Sequence, residues 1–242
     1  MRFTSQTSTD GVTERSFTLG EIPGVLWTPD DAEPRALILI GHGGGQHKQA
    51  PGVVARAIRL AAECGFAAAA IDAPAHGDRP KTAEHDRIIT EMRARMAGAG
   101  DPLPLLAELH TLLAAQTVPE WRSVLDSVLD ALGDLGPVGY WGMSLGCALG
   151  IPLVAAEPRI RAAVLGLSGT SLASAETAAG VAVPVQFMMQ WDDERVPRED
   201  ALALFDALAS GEKTLHANPG KHGDVPAFEA DSALRFFARH LG

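Results

Sequence analysis

Val138-Gly139-Tyr140-Trp141-Gly142-Met143-Ser144-Leu145-Gly146 decides the reading of this chain. Residues 138–141 form an apolar run with strand character. Leu145–Ala156 has helical character. Between them, glycine stands on both sides of Ser144 in the pattern G-x-S-x-G, the strand–turn–helix context of a nucleophile elbow. So tight a turn forces Ser144 into a strained backbone conformation that lifts its Oγ clear of the chain. Flanking glycines let strand and helix approach without Cβ clashes. The free N–H groups of the following helix N-terminus then point at any negative charge developing beside the serine. The plainer reading is a tight glycine turn with a spectator serine. Pro152 lacks an N–H and predicts a kink or break in the helix after the turn.

Outward from the elbow, strand-like and helix-like stretches alternate. Residues 36–40, 67–71, 162–167 and 183–189 are continuous apolar runs, with a weaker strand at 213–216. Unbroken apolar runs suit strands buried on both faces of a parallel sheet. Residues 15–19 and 25–28 flank Gly20 and Pro23-Gly24 and predict a hairpin-like start. Helical periodicity marks 53–63, 121–132, 198–208 and 227–240. In 121–132, Trp121, Val124, Leu125, Val128, Leu129 and Leu132 share one face. The alternation predicts an α/β fold with a mainly parallel sheet and right-handed crossovers. Residues 80–120 interrupt the rhythm. They predict no strand, and two helices, 81–97 and 103–115, separated by Gly98, Gly100, Pro102 and Pro104. An excursion of that length serves as a lid or binding segment, or packs as extra scaffold.

Composition narrows the class further. The 242 residues carry 20 Lys+Arg against 30 Asp+Glu, a formal net charge of −10, and are 46% hydrophobic. That apolar content excludes a disordered chain. The acidic balance argues against nucleic acid as a partner, because phosphate neutralisation needs Lys and Arg. One domain spanning residues 1–242 is expected, with 80–120 as a helical cap-like insertion. Cys64 and Cys147 lie in apolar helix-like stretches and read as buried free thiols, with no zinc pattern between them. The polar N-terminal stretch has no signal-peptide core, and no run reaches membrane-span length. The expected setting is cytoplasmic, away from the membrane.

A second glycine cluster, His42-Gly43-Gly44-Gly45, follows the run 36–40. Its N–H groups can supply the other half of an oxyanion hole. It is neither a dinucleotide fingerprint nor a P-loop, since Gln46 stands where either pattern needs another residue. A serine nucleophile needs a base, and the base an orienting acid. In the chain order Ser, acid, His, only His216, His222 and His240 follow Ser144. His240 falls in the last helical turn and His216 at a strand end. His222 sits in the loop 219–223 between the last strand and last helix, where a base at the sheet's carboxyl edge belongs. The acid comes from the stretch after 183–189. The spacing D-x-x-V-P through Val196 and Pro197 selects Asp193, leaving Asp192 and Glu194 as loop carboxylates or N-terminal helix charges. His42 and His76 read as loop-shaping hydrogen-bonders.

These stretches, with Asp72-Ala73-Pro74-Ala75-His76-Gly77-Asp78, resemble the α/β-hydrolase superfamily across nearly the whole chain. The contexts of Asp193 and His222 look most like its dienelactone-hydrolase-like and small esterase branches. Ser144 departs from the cysteine of dienelactone hydrolases proper, and Ala75 replaces a usual glycine. The resemblance implies a three-layer fold with a mostly parallel eight-stranded sheet. It implies Ser144, Asp193 and His222 as catalytic residues, with the N–H groups of Leu145 and Gly44 as oxyanion donors and Gly43 as the alternative to Gly44. Gly43, Met143, Met92, Met96 and Trp191 are candidate pocket residues, the 80–120 helices covering Ser144. The expected activity is hydrolysis of a small-molecule carboxylic ester through an acyl-enzyme, with no metal or organic cofactor. The same residues would serve a thioesterase, lactonase, peptidase, lyase or acyltransferase, or a member that only binds its ligand.

Overall fold

A computed structural model of the protein describes residues 1–98, 100–133, 135–170 and 172–242. The strands are β1 (Arg2–Thr9), β2 (Val12–Leu19), β3 (Ile22–Pro29), β4 (Leu37–Gly41), β5 (Ala67–Ile71), β6 (Val138–Met143), β7 (Ile160–Gly166), β8 (Val185–Gln190) and β9 (Lys213–Asn218). The helices are α1 (Pro51–Cys64), α2 (Ala83–Ala97), α3 (Leu103–Leu132), α4 (Leu145–Ala156), α5 (Leu172–Ala178), α6 (Arg198–Ala207) and α7 (Phe228–Leu241). Among the described residues the strands form one sheet in the order β1-β2-β3-β5-β4-β6-β7-β8-β9. The pairs from β5–β4 to β8–β9 are parallel, and β1–β2, β2–β3 and β3–β5 antiparallel.

The pleat sorts side chains into two cores. Leu37, Leu39, Ala69, Tyr140, Leu165 and Phe187 face α3, α4 and α6. Ile38, Ile40, Ala68, Ala70, Trp141, Val164 and Met188 face α1 and α7. Both faces being covered explains why these strands read as continuous apolar runs. From β4 the chain crosses to β5 on one side, and later returns to β6 on the other. The carboxyl ends of β4 and β6 therefore diverge at a topological switch point, where open α/β sheets hold their ligands.

The three-layer, mostly parallel architecture agrees with the sequence reading, and the differences have local causes. The sheet has nine strands rather than the expected eight. The extra one, β1, is exposed at every residue, so no apolar pattern marks it. Its signal is the dipeptide Asp10-Gly11, with φ 52° and 80°, a tight hairpin turn of the type that Asp-Gly favours. The helix expected over 103–115 continues without a break to Leu132 and includes Pro119. Leu105, Leu109, Leu113, Thr117, Trp121, Val124, Leu125 and Val128 bury along it. A missing proline N–H does not outweigh that much packing. Pro152 likewise lies inside an unbroken α4, most of whose residues are buried. The short α5 had no periodic signal long enough to read.

Candidate active site

The loops after β4, β6, β8 and β9 carry the residues singled out above. Ser144 stands between β6 and α4 with φ 56° and ψ −120°, a left-handed conformation for a residue with a side chain. The flanking glycines are sterically required. A Cβ on Gly142 would lie 2.3 Å from the Gly146 carbonyl oxygen, and one on Gly146 2.5 Å from that of Gly41. The Ser144 N–H is tied to the Gly166 carbonyl at 2.9 Å, anchoring the strained turn to β7.

His222 Nε2 lies 3.0 Å from Ser144 Oγ, and its Nδ1 2.8 Å from Asp193 Oδ2. The carboxylate accepts from Nδ1–H, which leaves Nε2 to accept from the serine hydroxyl. Both partners are withdrawn from solvent, with side-chain exposures of 9% for His222 and 3% for Asp193. Asp193 is itself fixed, because its Oδ1 accepts the N–H groups of Arg195 (2.8 Å) and Val196 (3.0 Å). Two neighbouring carboxylates, Asp192 and Glu194, also bond to the histidine loop. Glu194 Oε2 accepts the His222 N–H at 3.0 Å, and Asp192 Oδ2 accepts the Gly220 N–H at 3.3 Å. Backbone bonds from Trp191 N–H to Asn218 and from Asp192 N–H to Gly220 complete a zipper between the acid loop and the histidine loop. Of the competing histidines, His216 is paired with Glu229 at 2.7 Å, and His240 lies near Glu212.

The glycine cluster approaches the head of α4. Gln46 N–H bonds the Gly43 carbonyl at 3.1 Å across a tight turn in which Gly45 has φ 72°. The Gly43 N–H is taken by Gln46 Oε1 at 3.2 Å. Gly44 faces Leu145, since a Cβ built on it would lie 3.9 Å from the Leu145 Cβ. The Leu145 N–H heads α4, whose N-terminus has no side-chain cap and no acidic residue in its first turn. Such an N–H has no partner within its own helix.

Two buried clasps hold these loops. His42 Nε2 accepts the Ala73 N–H at 3.0 Å, so its Nδ1 carries the proton and donates to the Gly43 carbonyl at 2.8 Å. Burial pushes the His42 pKa down to about 4, against the favourable bond to Gly43, which keeps this tautomer neutral. Asp72, fully buried, accepts from Lys48 N–H (2.8 Å), Lys48 Nζ (2.9 Å) and Asp78 N–H (2.9 Å). Burial opposes its charge, but the bonds from Lys48 and Asp78 outweigh it and hold the carboxyl below its ordinary range.

No protein-family model and no curated protein matches the chain. Among solved structures, a PEG-bound cold-adapted esterase from an Arctic intertidal metagenomic library is 32% identical, with a TM-score of 0.84, over 100% of both chains. The chain belongs to the esterase branch of the α/β-hydrolases. More distant structures share the fold. TT1662 from Thermus thermophilus is 22% identical over 94% of this chain and 97% of its own, with a TM-score of 0.71. The acetyl xylan esterase from Paenibacillus sp. R4 is 15% identical over 99% and 88%, also at 0.71.

In this α/β-hydrolase the expected pocket residues take different places. Met92, with Ile89 and Leu112, packs on a small core of Ala73, Ile88, Leu105, Leu109, Leu113, Leu145 and Leu149. That core joins the 80–120 helices to the first turns of α4. Met143 packs on the opposite face, with the core under α1 and α7. Met96 is exposed, and Trp191 is 44% exposed beneath the Arg198 guanidinium, 3.9 Å from the ring centroid. Cys147 is fully buried, and burial pushes its thiol up to about 12, which leaves it inert as a nucleophile. Among the described residues no cluster of metal-ligating side chains occurs, and no helix is long and apolar enough to cross a membrane.

Proposed function

We propose that this α/β-hydrolase cleaves carboxylic esters of small molecules through an acyl-enzyme on Ser144. The observation that carries the reading is the hydrogen-bonded relay Ser144–His222–Asp193 at 3.0 and 2.8 Å. Ser144 Oγ attacks the ester carbonyl while His222 Nε2 takes its proton. Asp193 holds the imidazole tautomer and stabilises the imidazolium. The N–H groups of Leu145 and Gly44 stabilise the oxyanion. Gly44 is favoured over Gly43, whose N–H is already bonded to Gln46. His222 then returns the proton to the leaving alcohol. Water, deprotonated by the same His222, releases the acid and regenerates Ser144. The residues ask for no cofactor in any of these steps.

The helices of 80–120 belong to the same proposal as a cap on the acyl side. Leu145, next to the nucleophile, shares its apolar cluster with Leu105, Leu109 and Leu113, which supports that placing.

Ser144→Ala tests the mechanism. Turnover of a short-chain p-nitrophenyl ester should vanish, and labelling by a fluorophosphonate should be lost with it. An Ala variant that retains full activity ends the proposal. Asp193→Asn should keep the fold and lower kcat by roughly a thousandfold to ten-thousandfold, through the wrong imidazole tautomer.

A further inference from the structure

Tyr140 is the one tyrosine of the chain, and it lies 1% exposed on β6, four residues before Ser144. Its side chain occupies a slot floored by glycines from three elements. A Cβ on Gly41 of β4 would lie 2.2 Å from the phenol oxygen. A Cβ on Gly142 of β6 would lie 2.6 Å from the ring, and one on Gly150 of α4 2.1 Å from it. The hydroxyl donates to the Gly146 carbonyl at 2.6 Å. Burial pushes the phenol pKa far above its ordinary value, so the hydroxyl stays a donor.

The slot spans the two chain segments that carry the proposed oxyanion donors. Gly41 opens the loop that reaches Gly44, and Gly146 follows Leu145. A Cβ on Gly146 would strike the Gly41 carbonyl, so the segments touch directly, with the phenol wedged beside their contact. We infer that Tyr140 is a positioning residue: through Gly41 and Gly146 it sets the separation of the Gly44 and Leu145 N–H groups at the oxyanion. The inference rests on the serine-hydrolase reading above. The phenol never touches substrate. It acts by limiting how far the head of α4 can move relative to the end of β4, where small displacements from catalytic geometry are expensive.

Tyr140→Phe removes the bond to the Gly146 carbonyl and no ring volume, so it frees the head of α4 without opening a cavity. The Phe variant should lower kcat about tenfold, less than the loss of an oxyanion donor itself, with KM within about twofold. The affinity for a trifluoromethyl ketone, which forms a tetrahedral oxyanion on Ser144, should fall by the same factor. A merely structural tyrosine would lower thermal stability and leave the ketone affinity and kcat of the folded enzyme alone. That result overturns the inference. Should the Phe variant not fold, growth on 3-fluorotyrosine places one fluorine reporter at position 140. Its resonance should shift when the ketone adds, and an unmoved resonance also overturns the inference. Wild-type protein that takes up no ketone sinks the serine mechanism together with the inference. Wild-type uptake with an unchanged Phe variant sinks the inference alone.

Discussion

Ser144 is held at φ 56° by its N–H bond to the Gly166 carbonyl and by the close packing of Gly142 and Gly146, and Ala75 shares its positive φ at 62°. Ala75 stands where the resembling loops carry glycine, so the sequence marks the substitution but not its backbone angle. A left-handed alanine is strained by about 1–2 kcal/mol, while glycine there loses about 0.5–1 kcal/mol of unfolded-state advantage. Ala75→Gly should therefore raise the unfolding free energy by about 0.5–1 kcal/mol, read from the urea midpoint at unchanged m-value. Gly77→Ala, two residues on, should do the reverse by about 2 kcal/mol or more. Its φ is 56°, and an added Cβ would sit 2.2 Å from the Asp72 carboxylate that ties Lys48 to Asp78. Ser144, His222 and Asp193 were legible because chain order and loop context constrain them. Lys48, Glu194 and Tyr140 were not. Each works through a contact across 24, 28 or 6 residues of chain.

At the scale of elements, α3 is the clearest test of packing against propensity. Pro119 deprives the Ala115 carbonyl of its helical partner, and the helix nevertheless runs from Leu103 to Leu132. Pro119 is exposed, so Pro119→Ala removes no core contact and restores one backbone bond. The variant should be more stable by about 1–2 kcal/mol, below the full ~3 kcal/mol of an interior proline because the neighbouring turns already accommodate it. Thermal unfolding checks it, and an unchanged midpoint would mean the helix bears no strain at that turn. The sequence reading broke this helix because a window around proline holds no information about the buried stripe on both sides. It missed β1 for the complementary reason, a strand held by backbone pairing to β2 without burial.

For the whole molecule, acid is the informative perturbation. Burial pushes both His42 and His110 down to about 4, and His76 also lies below its ordinary value through burial. An unfolded histidine takes its proton near pH 6.5, whereas folded His42 and His110 refuse it until about 4. The unfolded state therefore binds more protons between those values, and stability falls as pH drops through that window, by up to about 3 kcal/mol for each of His42 and His110. Asp72 and Glu157, held below the carboxylate range, add losses in the same direction at lower pH. Urea midpoints should decline from about pH 6.5 downward, and less steeply in His42→Gln. A flat profile to about pH 5 would contradict the neutral clasp between His42, Gly43 and Ala73.

By itself the sequence determined the layered α/β architecture and the elbow at Ser144, and it singled out Asp193 and His222 as the candidate acid and base. Those follow from periodicity and from glycine spacing, which are local in the chain. The tertiary structure alone decided that the Gly43 N–H of the glycine cluster is already taken, by the Gln46 side chain. It also decided how the acid and histidine loops are zipped, and that one phenol spans β4, β6 and α4. These depend on distances between segments far apart in the chain, which only the packed sheet and its covering helices set.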